Sequence, residues 1–332
     1  MEFTRHTQTS RFYSPLEDFQ EVSVEVEVRE DPLTGRQARV VPDSFVMPED
    51  QPDLAAIVGD GEGCFFCPGM VTEATPEYPD WVGFDRGSEG EATSFPNLNP
   101  YGAYSNVVTL TEEHFRPMPD LTVDQFADGL TAALEFIQAV FDHDADASVA
   151  SVNMNFLRSA GSSLFHPHMQ TLVDGRGTNE QTALAEASWR YHEEHGESYW
   201  AALTDREAGG ERHVGTTGDV TWLAPFAPKH HRHVYGVTDA DGPLAPDDDR
   251  VRDLAEGLTN VLASYDAAGL NAFNFSLYLQ EDPAFPPVME VIARSVFGEY
   301  YWSDSPFFTS LHREAVVDVA PETYAEEAAR EF

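Results

Sequence analysis

Lysine is almost missing from this sequence. Of 332 residues only Lys229 is one, and the other 18 basic residues are arginines. Basic charge is scarce overall, 19 residues against 58 acidic ones, for a net charge of −39. A nucleic-acid binder needs a basic footprint, and a protein that sits on an anionic membrane needs basic clusters, so both classes are excluded. No run of 18 apolar residues occurs, which excludes a membrane-spanning helix. The opening MEFTRHTQTSRFYSPLED has no apolar stretch of the kind a secretory signal requires, so a cytoplasmic protein is expected. Two cysteines cannot make a disulfide framework. The G-x-G-x-x-G and G-x-x-x-x-G-K patterns are also missing, which speaks against a Rossmann or P-loop nucleotide site.

The acidity has a physical consequence. A folded chain of 36.8 kDa exposes roughly 13,600 Å². Spread over that surface, 58 carboxylates stand roughly 15 Å apart, about two Debye lengths at physiological salt and about five at 1 M. Their repulsion weakens the fold in dilute buffer and matters little in brine. A halophilic protein is therefore expected. The acids are scattered, as in EDQPD, DGEGC, PDDDR and EEAAREF, so most are solvated surface rather than catalysts.

The chain holds ample apolar residues, 42%, for one large domain or two modest ones. VSVEVEVR at 22–29 alternates and predicts a strand. DPLTG at 31–35 predicts a turn, and ARVV a second strand completing a hairpin. Residues 50–95, rich in Gly, Pro and acids, read as irregular loop around CFFC. Strands are expected at 105–110, 151–157 and 168–173, and helical spacing runs over 121–143 with Thr122 as N-cap. A polar helix is expected at 179–204, strands at 219–237, an amphipathic helix at 247–268, two strands at 271–297 and a short helix opened by Pro321. The order strand, helix, strand, strand occurs twice. This predicts an α+β fold of two related halves with antiparallel sheets and packed helices, divided into residues 1–176 and 177–332.

Two constellations carry chemistry. Cys64-Phe-Phe-Cys67 could grip a metal, work as a redox dithiol, or be two buried cysteines. A zinc site needs two more ligands, and His114 and His166 are candidates from distant segments that periodicity cannot select. The second constellation runs from Asn155 through Arg158, Gly161, Ser162 and Ser163 to His166-Pro-His168-Met-Gln170. In an extended segment His166, His168 and Gln170 share one face. Gly161 permits the positive φ a phosphate cradle needs, and Ser162 or Ser163 can donate to phosphate oxygens. An imidazole in such a row can attack phosphorus and split one displacement into two. The alternative is a metal site or a structural row.

HPHMQ, preceded by N-x5-G-S-S, resembles the galactose-1-phosphate uridylyltransferase family of the histidine-triad superfamily. DPLTG, CFFC, FPN at 95–97, EEH at 112–114, WLAPFAP at 222–228 and NFSLYL at 274–279 extend the likeness, in order, over nearly the whole chain. The resemblance implies that His168 is the nucleophile, uridylylated in the intermediate, and that Gln170 stabilises that intermediate. It implies that Cys64, Cys67, His114 and His166 bind a structural zinc, that Asn155, Gly161 and Ser163 line the nucleotide phosphates, and that Asn97 sits near base and ribose. It further implies a homodimer acting on a nucleotide sugar and a sugar phosphate, with two histidine-triad-like halves sharing one extended sheet. UDP-glucose and galactose 1-phosphate are the expected pair. An adenylyl-specific phosphorylase or a dinucleoside polyphosphate hydrolase would use the same His168, and a zinc-containing nucleotide-binding protein without turnover is the rival.

Two departures stand out. The bacterial members carry an arginine pair after the DPLTG turn, whereas PDSFVMP at 42–48 has none. Their second metal site is expected to be absent, because 289–292 reads MEVI. An anionic substrate still needs local cations. Arg158 is one candidate, and Lys229 or Arg232 in KHHRH at 229–233 is another. HEEH at 192–195 lacks zincin spacing, and the aromatics of 296–308 are expected in the core or a dimer interface.

Overall fold

The computed structural model describes residues 1–332 except 43, 45, 46, 48–50 and 302. The segment at 42–48 and the aromatic run at 296–308 therefore lie partly outside the described residues. The chain opens with β1 (Thr4–Ser14) and β2 (Gln20–Glu30), then β3 (Gln37–Val40). The predicted DPLTG turn joins β2 to β3. Asp31 Oδ1 accepts from the backbone N–H and the hydroxyl of Thr34, both at 2.7 Å, and Gly35 supplies the positive φ of 73° that closes the turn. Two short helices follow, α1 (Leu54–Val58) and α2 (Pro68–Ala74), then β4 (Gly87–Glu89), β5 (Ala92–Pro96) and β6 (Asn106–Thr109). The stretch expected to be irregular thus holds two helices and two strands. Each is at most seven residues long, too short for a hydrophobic period to show.

Helix α3 (Val123–His143) starts where Thr122 predicts. Thr122 Oγ1 accepts from the Gln125 N–H and Gln125 Oε1 accepts from the Thr122 N–H, a reciprocal capping box. Next come β7 (Val149–Phe156), β8 (His168–Asp174), α4 (Asn179–His195) and α5 (Tyr199–Glu207). The one helix expected at 179–204 is two, because Gly196 at φ 75° ends the first. The rest of the chain is β9 (His213–Thr217), β10 (Val220–Leu223), β11 (Val234–Thr238), α6 (Arg250–Ala267), β12 (Phe273–Gln280), β13 (Val288–Ala293), β14 (Ala315–Val317) and α7 (Pro321–Ala328).

The strands form two sheets. Ten run in the order β4-β5-β6-β8-β7-β12-β13-β11-β10-β9, all antiparallel. Chain order on one side of the β7–β12 seam mirrors that on the other, and each side contributes one long helix, α3 or α6. These two helices pack on one face of the sheet over a core that includes Val108, Leu130, Met169, Trp222, Leu258 and Met289. The opposite face differs between the sides. Beside β11 and β13 it is covered by α4 and α5, with Leu184, Trp200 and Leu203 packed on Tyr235, Val237 and Val288. Beside β6 and β8 it is covered only in part, by Val71 of α2 and by Phe66. Period-two alternation decides which side chains meet which face: Val108 and Met169 enter the core, while Val107, His168 and Gln170 face the other way.

The smaller sheet, β1-β2-β3-β14, is antiparallel except for the parallel β3–β14 pair. Arg29 of β2 fastens it to the body. Its guanidinium is buried, lies 4.8 Å over the Phe226 ring, and makes a two-pronged bond to Glu322 of α7 at 2.9 and 2.8 Å. Arg212 reaches the same carboxylate at 2.8 Å. Burial alone would raise the Glu322 carboxyl, but the hydrogen bonds from Arg29 and Arg212 outweigh it and hold it down to about 2. A lowered carboxyl stabilises the fold above its unfolded value and loses that contribution as pH falls through the folded one. Glu322→Gln is therefore expected to cost on the order of 3 kcal/mol at pH 7. In urea titrations the gap between variant and native chain should shrink steadily between about pH 4.5 and about pH 2; a gap independent of pH would contradict this.

Candidate active site and metal centre

Four of the predicted residues converge. The ligand atoms of Cys64, Cys67, His114 and His166 all lie within 4.8 Å of one another, although their segments are far apart in sequence. Cys64 Sγ is 3.7 Å from His166 Nδ1, Cys67 Sγ is 3.8 Å from the same nitrogen, and Cys67 Sγ is 3.7 Å from His114 Nδ1. A tetrahedral ion with sulfur at about 2.3 Å and nitrogen at about 2.0 Å would hold them about 3.5 Å apart. The donor set and its spacing can hold a metal ion and are compatible with zinc.

The protonation states agree. The Nε2–H of His166 donates to the Thr111 carbonyl at 2.7 Å, which leaves Nδ1 as a free ligand toward the sulfurs. Burial pushes His166 down to about 4, so the imidazole is neutral at pH 7. Burial and the neighbouring Cys64 push the Cys67 thiol up to about 11. The two histidine nitrogens beside the sulfurs complete a four-donor set that a redox dithiol does not need, which favours the metal reading. Gly61 stands against the His114 ring, where a Cβ would come within 2.4 Å of Cγ. Only glycine fits that contact.

His168 opens β8. Its Nδ1–H donates to the His166 carbonyl at 2.8 Å, so the lone pair sits on Nε2. The side chain is largely buried, the residue being 8% exposed, and burial lowers its pKa. Phe66, between the two cysteines, packs edge-on against both histidine rings, with centroids at 6.1 Å for His166 and 5.2 Å for His168. Spacing arguments pass over Phe66 because its role is to fill space between two rings that meet only in the fold.

A cleft of about 410 Å³ opens in front of His168. Gln170, Ser163 and Asn97 line it, together with the apolar wall of Phe65, Phe66, Phe95, Pro96 and Val107 and, at the mouth, Leu98 and Tyr101. The structure thus brings His168, Gln170, Ser163 and Asn97 together. The other expected substrate residues lie on the adjoining turn and strand. Gly161 ends that turn at φ 92° with open space where a Cβ would go, and Leu157 enters it at φ 68°. Ser162 donates to the Leu164 carbonyl at 2.6 Å and so serves the turn itself. Arg158 is exposed and lays its guanidinium 4.6 Å over the Phe165 ring. Asn155 accepts from Asn274 Nδ2 at 2.6 Å. Beyond it Arg294 donates to Asn274 Oδ1 at 2.6 Å and pairs with Asp304, continuing a polar row across the seam that sequence reading missed. The row becomes visible only once β7 and β12 are known to be neighbours.

The cations of KHHRH are committed elsewhere. Lys229 lies between Glu180, at 2.5 Å, and Glu290. Arg232 pairs with Glu327 at 2.5 Å. Neither lines the cleft. A surface this rich in carboxylates supplies partners to any cation that approaches it. In the metal group, Cys64→Ser is expected to abolish metal retention and cost on the order of 4 kcal/mol. Elemental analysis and chemical unfolding check this; full metal content in the variant would refute it.

No family model matches the sequence. An uncharacterized protein of Archaeoglobus fulgidus is 32% identical over 305 residues, 91% of each chain. Among solved structures, an ADP-glucose phosphorylase from Arabidopsis thaliana with bound ADP-glucose superposes with a TM-score of 0.70 at 17% identity, covering 92% of this chain and 98% of that one. A galT-like protein from Arabidopsis thaliana gives 0.68 at 18% identity, and a uridylyltransferase 0.65 at 20%, each with the same coverage. These likenesses, at TM-scores of 0.65 to 0.70, establish the α+β fold. Among the described residues no helix is long and apolar enough to cross a membrane. At 32% identity over nine-tenths of both sequences, the chain belongs to one family with the Archaeoglobus fulgidus protein.

Proposed function

We propose that this protein is a nucleotidyltransferase that moves UMP from UDP-glucose to a hexose 1-phosphate, galactose 1-phosphate first among them, through a covalent nucleotidyl-His168. One observation carries the reading: a neutral imidazole, its Nδ1–H bound to a backbone carbonyl, has its Nε2 lone pair at the wall of a cleft sized for a nucleotide. His168 Nε2 attacks the α-phosphorus. The N–P bond forms as the bond to the β-phosphate oxygen breaks, and glucose 1-phosphate leaves with that electron pair. A phosphate oxygen of the acceptor then attacks the same phosphorus, the N–P bond breaks, and the imidazole is restored. Gln170 and Ser163 donate to the phosphoryl oxygens, Asn97 meets base and ribose, and Asn155, Arg158, Gly161 and Ser162 shape the phosphate turn.

Cys64, Cys67, His114 and His166 hold zinc in this reading, which ties the CFFC loop to the catalytic strand and takes no part in bond making. The chain is a homodimer of two-halved protomers, divided at 176/177, working in a salt-rich cytoplasm that screens the −39 charge. A second reading is adenylyl transfer to phosphate. It is favoured by the likeness to the ADP-glucose phosphorylase, and it uses the same His168.

The test is intact-mass spectrometry in molar KCl with UDP-glucose and ADP-glucose in separate incubations, quenched at alkaline pH because the N–P bond is acid-labile. A UMP-sized adduct absent from His168→Ala is expected. An AMP-sized adduct would select the second reading. No adduct and no turnover of either donor by folded protein would reject both.

A further inference from the structure

We infer that Asn274 is a positioning residue: held by Arg294, it turns the amide of Asn155 so that its N–H groups meet the phosphate of the sugar. The inference rests on the nucleotidyl-transfer reading above. Asn155 stands beside the nucleophile. The ladder pairs Met154 of β7 with Met169 of β8, and both side chains enter the core. One step on, Asn155 and His168 are neighbours on the opposite face. Asn155 is exposed there. The cleft lies on the other flank of β8, walled by Phe95 of β5, Val107 of β6 and the CFFC loop. A nucleoside in that cleft leaves the β7 flank to the other end of the substrate, the sugar phosphate, because nucleophile, phosphorus and leaving oxygen stand roughly in line.

An amide has a donor end and an acceptor end, and only the donor end suits a phosphate. The contacts of Asn274 decide which end Asn155 presents. Arg294 Nη1 donates to Asn274 Oδ1 at 2.6 Å. A guanidinium cannot accept, so the atom of Asn274 on that side is its oxygen. The Nδ2 then faces the other way. There it donates to Asn155 Oδ1 at 2.6 Å and to the Ala160 carbonyl at 2.9 Å, with the Met154 carbonyl more distant at 3.3 Å. Backbone carbonyls only accept, so both ends of Asn274 agree on one orientation. Asn155 answers with its oxygen. Among the described residues its own Nδ2 has no partner, which leaves two N–H donors for a ligand.

Arg294 is fixed in turn. Asp304 accepts from its Nε at 2.9 Å and from its Nη2 at 2.5 Å, and the same carboxylate accepts from the Ser295 N–H at 2.6 Å. Every side-chain N–H in the row from Arg294 through Asn274 to Asn155 thus points toward the site. Aligned donors polarise one another, so the row carries part of a positive charge to the phosphate. The chain needs it there. Lys229 and Arg232 are held by carboxylates elsewhere, and Arg158 lies over Phe165. The bond to Ala160 also pins the phosphate turn. Leu157 enters that turn at φ 68°, a backbone state that persists only where its surroundings hold it.

Calorimetry on the full chain in molar KCl tests this, with His168→Ala to prevent turnover and with UDP-glucose, ADP-glucose, UMP and AMP as ligands. Asn274→Asp keeps the size and the Arg294 contact but turns a second oxygen toward Asn155, whose amide then flips and shows its carbonyl to the phosphate. Binding of the sugar nucleotide is expected to weaken ~10-fold or more, with UMP and AMP changed less than about 2-fold. In an Asn155→Ala background the same substitution should cost less than about 3-fold, because the group it acts through is gone. An unchanged affinity, an equal loss for all ligands, or the same loss with and without Asn155 would overturn the inference. If Asn274→Asp does not fold, Asn274→Ala is read in the same way, with an expected loss of about 5-fold that disappears in the Asn155→Ala background. Intact mass of the chain with His168 present checks the transfer reading separately. Binding without an adduct or turnover would sink that reading and leave the Asn155 orientation to the affinities. No binding of either sugar nucleotide would sink both.

Discussion

One imidazole, that of His166, sets the chemistry of both centres through its contacts. Its Nε2–H is spent on the Thr111 carbonyl, its Nδ1 faces two sulfurs, and its own carbonyl takes the Nδ1–H of His168. The first contact selects the tautomer that can ligate a metal; the last selects the opposite tautomer in the residue two places on. Pro167 between them cannot donate, and its carbonyl accepts from Leu110 to register the segment against the strand that leads to His114. The Nδ1 that His166 turns toward the two sulfurs and the Nε2 that His168 leaves without a proton are therefore set by the same three residues. Displacing either histidine disturbs the other through a backbone that has little freedom.

The sheet explains why, among the described residues, there is one such site and not two. The strands on either side of the β7–β12 seam repeat the same plan, and Leu110 N–H to Pro167 O has its counterpart in Thr238 N–H to Pro287 O. On the second side, however, the strand that follows that proline begins with Val288, and the open face is filled by α4, α5 and their aromatic side chains. The polar groups at that position, Glu290, Lys229 and Tyr278, bond to one another instead of facing a cleft. Half of the duplicated plan has been converted into packing.

How much of this the sequence displays depends on the range of the interaction. The strand VSVEVEVR, the Asp31 turn and the Thr122–Gln125 box are local, and residues a few positions apart suffice to read them. The HPHMQ row is legible because alternation is intrinsic to a strand, yet alternation leaves open which face is the cleft. The grouping of His114 with Cys64, Cys67 and His166 comes from a resemblance and not from spacing. Strand β1 escapes notice because its alternating residues are Thr, Gln, Ser and Arg, so no hydrophobic period marks it. Reading Lys229 and Arg232 as substrate cations fails for a different reason, since partners distant in sequence, Glu180, Glu290 and Glu327, claim them in the fold.

The fate of Lys229 has a practical side. It is the single lysine of the chain and it is held between two carboxylates. Amine-directed reagents, from fluorescent succinimidyl esters to aldehyde fixatives, find no accessible side-chain amine on this surface. Trypsin must do nearly all its work at arginine, and most of those arginines are themselves gripped by acids. Labelling and fixation through side-chain amines thus find little to act on, and digestion falls to the 18 arginines. Carboxylate-directed coupling is the handle its surface offers.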